Sequence, residues 1–183
     1  MKNLYFIRHG QSNANASGIW SGQLDSPLSD QGLQEAKQAG EQAAKDHFNP
    51  TIILSSPLVR AAETARTIAN SIGYPQNKIV YMDQLKERSF GKLEGTDIAK
   101  TLPDFNDYKK LDTIETVEKL EDLQARVKMV LEEIKKMPEE TVLIVGHAAF
   151  GRALRREING LPYTAEYEGE FKQIPNAQII KLL

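Results

Sequence analysis

The side chains that could do chemistry in this chain sit at three junctions. The opening stretch "LYFIRHGQSNAN" ends an apolar run on Arg8, His9 and Gly10. A second run, "TIILSS", ends on Ser55 and Ser56, and Arg60 follows one helical turn later. A third, "TVLIVGH", ends on Gly146 and His147. Two guanidinium forks match the oxygens of a phosphate dianion. A neutral imidazole nitrogen is a nucleophile able to accept a phosphoryl group. Phosphoryl transfer asks mainly for positioning and charge stabilisation, and arginine and histidine can supply both without a metal. Ser12 and Asn15, just past the first run, offer further hydrogen bonds. The departing alkoxide needs a proton from a carboxyl group. Glu87 is the leading candidate, with Glu94 and Asp83 as rivals, and spacing alone does not choose among them.

These junctions need elements to position them. Residues 3–7 read as a buried strand. "SDQGLQEAKQAGEQAAKDHF" reads as a helix capped by Ser29, with an apolar stripe of Leu33, Ala36, Ala39, Gly40, Ala43 and Ala44. Residues 51–55 form a second strand. A helix follows with Ser56 as cap, Pro57 in its first position and Gly73 as its stop. "KIVYM" is a shorter strand, and 83–113 is loop-rich. A long helix runs from about Thr116 to Met137, with Val117, Leu120, Leu123, Val127, Val130, Leu131 and Ile134 on one face. Residues 141–145 make a strand, "AAFGRALRREING" a helix closed by Gly160, and "NAQIIKLL" a last strand. Strands alternating with helices predict an α/β domain with a mostly parallel, helix-covered sheet. Ligands of such sheets bind outside the carboxyl ends of the strands. Parallel neighbours would therefore bring two histidines and two arginines to one rim.

The bulk of the sequence narrows the classes. A chain of 183 residues suits one domain, 1–183, with a full core. Its net charge of -2 gives no reason to expect nucleic acid or a membrane surface as partner. With no cysteine, disulfides and thiol chemistry are excluded. No apolar run approaches a membrane span and no secretory signal is recognisable, so a cytoplasmic protein is expected.

The ordered pieces "RHGQSNAN" with "SGQLDSPLSDQG", "SSPLVRAAETA", "ERSFGKLEG" and "VLIVGHAAFGRAL" resemble the histidine phosphatase superfamily, the group built around cofactor-dependent phosphoglycerate mutases. The resemblance implies a three-layer α/β/α sandwich whose mixed sheet is parallel except for one strand. It implies His9 as the phosphorylated nucleophile, Arg8 and Arg60 on phosphate, and His147 stabilising the transferring phosphoryl group. Glu87 matches the general acid and Asn15 the phosphate-contacting asparagine. Ser21, Gly22 and Ala148 fall where main chain approaches substrate. The chain departs from the family in three places: Val117-Glu118-Lys119 replaces Gly-Glu-Ser, Ala148 replaces Gly, and Gln11 replaces the Glu of the mutases.

Other polar residues have plainer expectations. His47 reads as a helix C-terminal cap, and Arg152, Arg155 and Arg156 as a solvated face. Trp20 and Phe90 suit either the pocket mouth or the core. The expected activity is a metal-independent phosphomonoesterase acting on a small phosphorylated metabolite, with no cofactor. The first alternative is a 2,3-bisphosphoglycerate-dependent phosphoglycerate mutase. Such mutases are implied to carry an insertion between the acid and the second histidine, whereas 59 residues separate Glu87 from His147 here. A protein-phosphohistidine phosphatase and a catalytically silent phospho-ligand-binding protein follow.

Overall fold

The structure, a computed structural model, describes residues 2–101, 111–161 and 174–183. Much of the expected loop at 83–113 is thus seen, but its part at 102–110 lies outside the described residues. The five-stranded sheet has the order β3-β2-β4-β1-β5. Its strands are β1 (Asn3–Arg8), β2 (Ile52–Ser55), β3 (Val80–Tyr81), β4 (Thr141–Gly146) and β5 (Ile179–Lys181). β1 and β4, β4 and β2, and β2 and β3 pair in parallel, and only β5 runs antiparallel, against β1. The expected mixed sheet is the observed one.

Both sheet faces are covered, because the strand period of two sends alternate residues to opposite sides. Leu4, Phe6, Val142 and Ile144 pack under the long helix α5 (Leu120–Lys136) and the helix α6 (Ala148–Ile158). Tyr5, Ile7, Leu143 and Val145 pack under α2 (Asp30–Lys45) and α3 (Val59–Ser71). Fully buried Leu123, Val127 and Val130 recur at three- and four-residue steps and fix the inner stripe of α5. The architecture is an α/β/α sandwich.

Local chemistry sets several boundaries. Ser29 caps α2 as expected, its Oγ accepting from the Gly32 amide at 3.1 Å; such a cap stabilises by about 1 kcal/mol. The buried stripe of α2 is Gly32, Ala36, Gly40 and Ala43, and Leu33 is exposed. Gly10 and Gly32 have no room for a Cβ, so the loop leaving β1 lies directly on the start of α2. His47 follows α2 with φ of +53°, and its amide bonds to Ala44 O, a C-terminal cap. The long helix begins at Leu120 rather than Thr116. A one-turn helix α4 (Ile98–Thr101) falls within the loop-rich stretch, and a short helix, α1 (Asn13–Ala16), is unforeseen. It is held by a reciprocal capping box: Ser12 Oγ accepts from the Asn15 amide and Asn15 Oδ1 from the Ser12 amide.

Candidate active site

Strand register brings the three junctions together. Arg8 pairs with Gly146, and Ser55 with Val145. The His9 amide then donates to Gly146 O and the Ser56 amide to Val145 O, both at 3.0 Å. His9 and His147 leave the sheet side by side with ring centroids 5.1 Å apart, edge to face. Together with Arg60 they are buried beneath the rim. The convergence expected of the strand ends is present.

His9 has its two ring nitrogens assigned by their partners. Nδ1 donates to Gly10 O at 2.6 Å, and a carbonyl can only accept. Nε2 accepts from Arg60 Nε at 3.2 Å. Burial, then the Arg60 and Arg8 charges, push the His9 pKa well below 6.5 against the opposing Gly10 bond. The ring is neutral, protonated on Nδ1, with a lone pair on Nε2. Asn176 fixes the main chain here, its Nδ2 donating to His9 O at 2.7 Å.

His147 engages the other nitrogen: Nε2 lies 2.8 Å from Ser56 Oγ. Its Nδ1 is buried and has no hydrogen-bond partner among the described residues. Burial, followed by Arg60, His9, Arg8 and Arg126, also lowers its pKa well below 6.5.

Arg60 is fully buried and satisfied on every side. Besides His9 it donates to Leu24 O at 2.9 Å and to Gly22 O at 2.7 Å. Its own carbonyl accepts from Thr64 Oγ1, which in turn accepts from the Gly10 amide. Burial lowers its pKa, while Glu87, Asp25 and Glu94 oppose the shift; guanidinium remains the cation. Gly22 takes φ of +46° and presents its carbonyl to Arg60, whereas Ser21 faces the cavity above.

The carboxylate candidates separate by position. Glu87 is buried and lines the cavity. Its carboxylate accepts from the Ala149 and Phe150 amides at the start of α6, at 3.0 and 3.1 Å, and from its neighbour Arg88 N at 3.0 Å. Glu94 is a bracket, accepting from Gln23 N at 3.0 Å and Phe90 N at 2.9 Å. Asp83 is exposed and pairs with Lys86.

The cavity at this rim has a volume of about 420 Å³, and His9, Arg60 and His147 are not among the residues that line it. Arg8, Asn15, Ser21, Glu87, Ala148, Arg152 and Asn176 supply its polar lining, and Ile19, Trp20, Phe90, Ile98, Ile174 and Pro175 its apolar wall. Asn15 spends Oδ1 on the α1 cap, which leaves Nδ2 as the end of the amide that can donate to a ligand. Trp20 and Phe90 do both jobs expected of them, packing with tilted rings 4.4 Å apart as a small core while facing the cavity. Arg152 and Arg156 correct the expectation of a solvated face: both are buried. Their helix carries Ala149, Phe150, Ala153 and Leu154 to the core, and the arginines flank that stripe.

Sequence reading missed several supporting residues. Arg126 interrupts the apolar stripe of α5, three residues after Leu123 and four before Val130, and that lone charge is the signal that marks it. It forms a bidentate pair with Glu118 at 2.9 Å and donates to the carbonyls of Gln84 and Lys86, tying down the chain before Glu87. Glu118 accepts from Ser89 N on the other side. Val117 is buried with Trp20, Phe90 and Leu111, and of residues 117–119 Glu118 is the one whose side chain reaches the loop carrying Glu87. Ser56, expected to cap α3, is instead on His147. The helix begins at Val59, whose amide donates to Asp25 Oδ1 at 2.9 Å. Among the described residues no cluster of three or more His, Asp or Glu side chains is arranged to hold a metal.

Two buried histidines and two arginines meeting at the carboxyl rim of an α/β/α sandwich suit phosphoryl transfer. The chain belongs to the histidine phosphatase superfamily (branch 1), whose family model matches residues 4–183, and is a phosphatase of that type. It is 37% identical to the uncharacterized phosphatase PhoE of Bacillus subtilis over 84% of this chain and 76% of that protein. It is 30% identical to the 2,3-bisphosphoglycerate-dependent phosphoglycerate mutase of Corynebacterium glutamicum over 86% of this chain and 77% of the mutase. A solved mycobacterial glucosyl-3-phosphoglycerate phosphatase, complexed with VO3, superposes with a TM-score of 0.80 at 26% identity, covering 98% of this chain and 91% of the other. No helix among the described residues is long and apolar enough to cross a membrane.

Proposed function

We propose that the chain is a metal-independent phosphomonoesterase working through a phosphohistidine on His9, on a small phosphorylated metabolite in the cytoplasm, with residues 1–183 as one catalytic domain. The observation that carries this reading is the state of His9: neutral, with Nδ1–H held by Gly10 O and the Nε2 lone pair beside Arg60. An arriving phosphate ester competes for the Arg60 Nε–H and frees that lone pair. Nε2 then attacks phosphorus as the bond to the alcohol oxygen breaks. Arg8, Arg60, His147 and Asn15 hold the non-bridging oxygens, with Ser21 and Ala148 contributing main chain at the rim and Gly22 positioning Arg60 through its carbonyl. Glu87, entering the cycle as the carboxylic acid, gives its proton to the leaving oxygen, and the resulting carboxylate later takes one from the water that cleaves the phosphorus–nitrogen bond. Inorganic phosphate leaves and neutral His9 returns.

The phosphatase-named relatives support hydrolysis. The relative named as a mutase supports a second reading, in which the phosphoryl group returns to another hydroxyl of the substrate. An assay with EDTA present separates the two. Phosphate released from an aryl phosphate, and lost in His9→Ala, is the expected result. Isomerisation of 3-phosphoglycerate primed with 2,3-bisphosphoglycerate, with little release, overturns it.

A further inference from the structure

We propose that Ser56 sets the tautomer of His147, giving its hydroxyl hydrogen to Nε2 so that Nδ1–H is the donor offered to the transferring phosphoryl group. The inference rests on the reading of His147 as the group that faces phosphate.

Ser56 leaves the end of β2 with no exposed surface. Its Oγ has two partners among the described residues: it accepts the Leu58 amide at 3.3 Å and lies 2.8 Å from His147 Nε2. A hydroxyl carries one hydrogen, and a neutral imidazole carries one proton on either nitrogen. If that proton were on Nε2, Oγ would receive two donors and its own hydrogen would be buried without an acceptor. Nδ1 would then be a bare lone pair, which cannot hydrogen-bond a phosphate oxygen. With the hydroxyl hydrogen on Nε2, every polar atom of the pair is satisfied except Nδ1–H. That atom is the one left buried without a partner among the described residues, in a ring packed against His9. A buried unmet donor beside cations is costly in the free protein and is relieved when an anion arrives. A doubly protonated ring, the other way to make Nδ1 a donor, is disfavoured by burial and by Arg60, His9 and Arg8. Ser56 touches no substrate in this scheme and acts through His147, so it is a positioning residue. Its use here also accounts for why it does not cap α3.

The test reads protons directly. Selective ¹⁵N labelling of histidine lights up only His9, His47 and His147, and long-range ¹H–¹⁵N spectra distinguish protonated from bare ring nitrogens; His9→Gln and His147→Gln assign them. The wild-type protein is expected to show His147 with Nδ1 protonated and Nε2 bare, and its Nδ1 proton is expected to shift on adding inorganic phosphate. Ser56→Ala is expected to move the proton to Nε2 or to a mixture. Its kcat on an alkyl phosphate should fall about ten- to a hundredfold, less than the roughly hundred- to thousandfold of losing an oriented donor outright because a tautomer mixture still offers Nδ1–H, and Ser56→Thr should restore both. A wild-type His147 protonated on Nε2, or an imidazolium at neutral pH, overturns the proposal whatever the variants do. An unaltered tautomer in folded Ser56→Ala overturns it as well. Absence of turnover by the wild type sinks the phosphatase reading alone, because the tautomer is decided by the spectrum.

Discussion

β1 and β4 bring the same side chain to the same rim, yet His9 is engaged at both ring nitrogens and His147, among the described residues, at Nε2 alone. Both follow a parallel strand, both are buried, and both are held neutral by burial and the same arginines. His9 meets a carbonyl, which can only accept, and so its Nδ1 is fixed as N–H and its Nε2 is left basic. His147 meets a hydroxyl, through Nε2. Residue type, burial and charge therefore do not separate the two rings in their proposed roles of nucleophile and donor. The neighbour of one ring nitrogen does.

The comparison breaks most visibly at His9. His9→Ala is expected to lower phosphate release by a factor on the order of a million, the scale of removing a covalent nucleophile, with the melting temperature checked to show a folded protein. Glu87→Gln should lower kcat on an alkyl phosphate by about a thousandfold but leave an aryl phosphate, with its better leaving group, much less affected. His147→Gln leaves the nucleophile intact, so the His9 adduct should still form on rapid quenching, about a hundredfold more slowly. Equal losses in His9 and His147 variants would erase the division of labour. Glu118→Gln, which breaks the clamp on Arg126 behind the acid loop, should cost about tenfold on alkyl substrates through misplacement of Glu87.

The smallest effect is on stability against pH. Both histidines have folded-state pKa values below the 6.5 of an unfolded chain. As pH falls through that value the unfolded chain takes up protons that the folded one refuses. Stability is thus full above about pH 6.5 and falls below it, by up to about 1.4 kcal/mol per pH unit for each ring. Urea midpoints measured across this range should slope less in a His9→Gln/His147→Gln double variant.

What the sequence made legible was whatever depends on neighbours along the chain. Strand ends, the Ser29 cap and the α5 stripe all follow from local pattern and period. The rest depends on contacts that no local pattern encodes. Ser56 followed by Pro57 reads as a helix start, yet His147, 91 positions away, claims the hydroxyl, and Asp25 supplies the tertiary cap. β3 shrinks to Val80–Tyr81, since only Leu54 and Ser55 of β2 lie opposite it. Arg152 and Arg156 look like surface because charge is usually solvated, and they are buried beside a helix face that the core has claimed. Glu87 could be chosen over Glu94 and Asp83 by resemblance, but its geometric reason, the amides of Ala149 and Phe150, lies across the fold.

Asn176, bonded to the carbonyl of His9 across 167 positions, has a consequence for synthesis. A ribosome releases β1 first and β5 long after, and domains made from the N-terminus onward wait for their distant contacts. Arg8 also donates to Ile174 O, and Ala177 bonds back to Arg8 O, so the end of β1 is flanked by chain made after every other element of the sheet but β5. A nascent chain that has emitted both histidines still lacks the brace on the first. The tether on the His9 loop is therefore made only after residues 174–177 emerge.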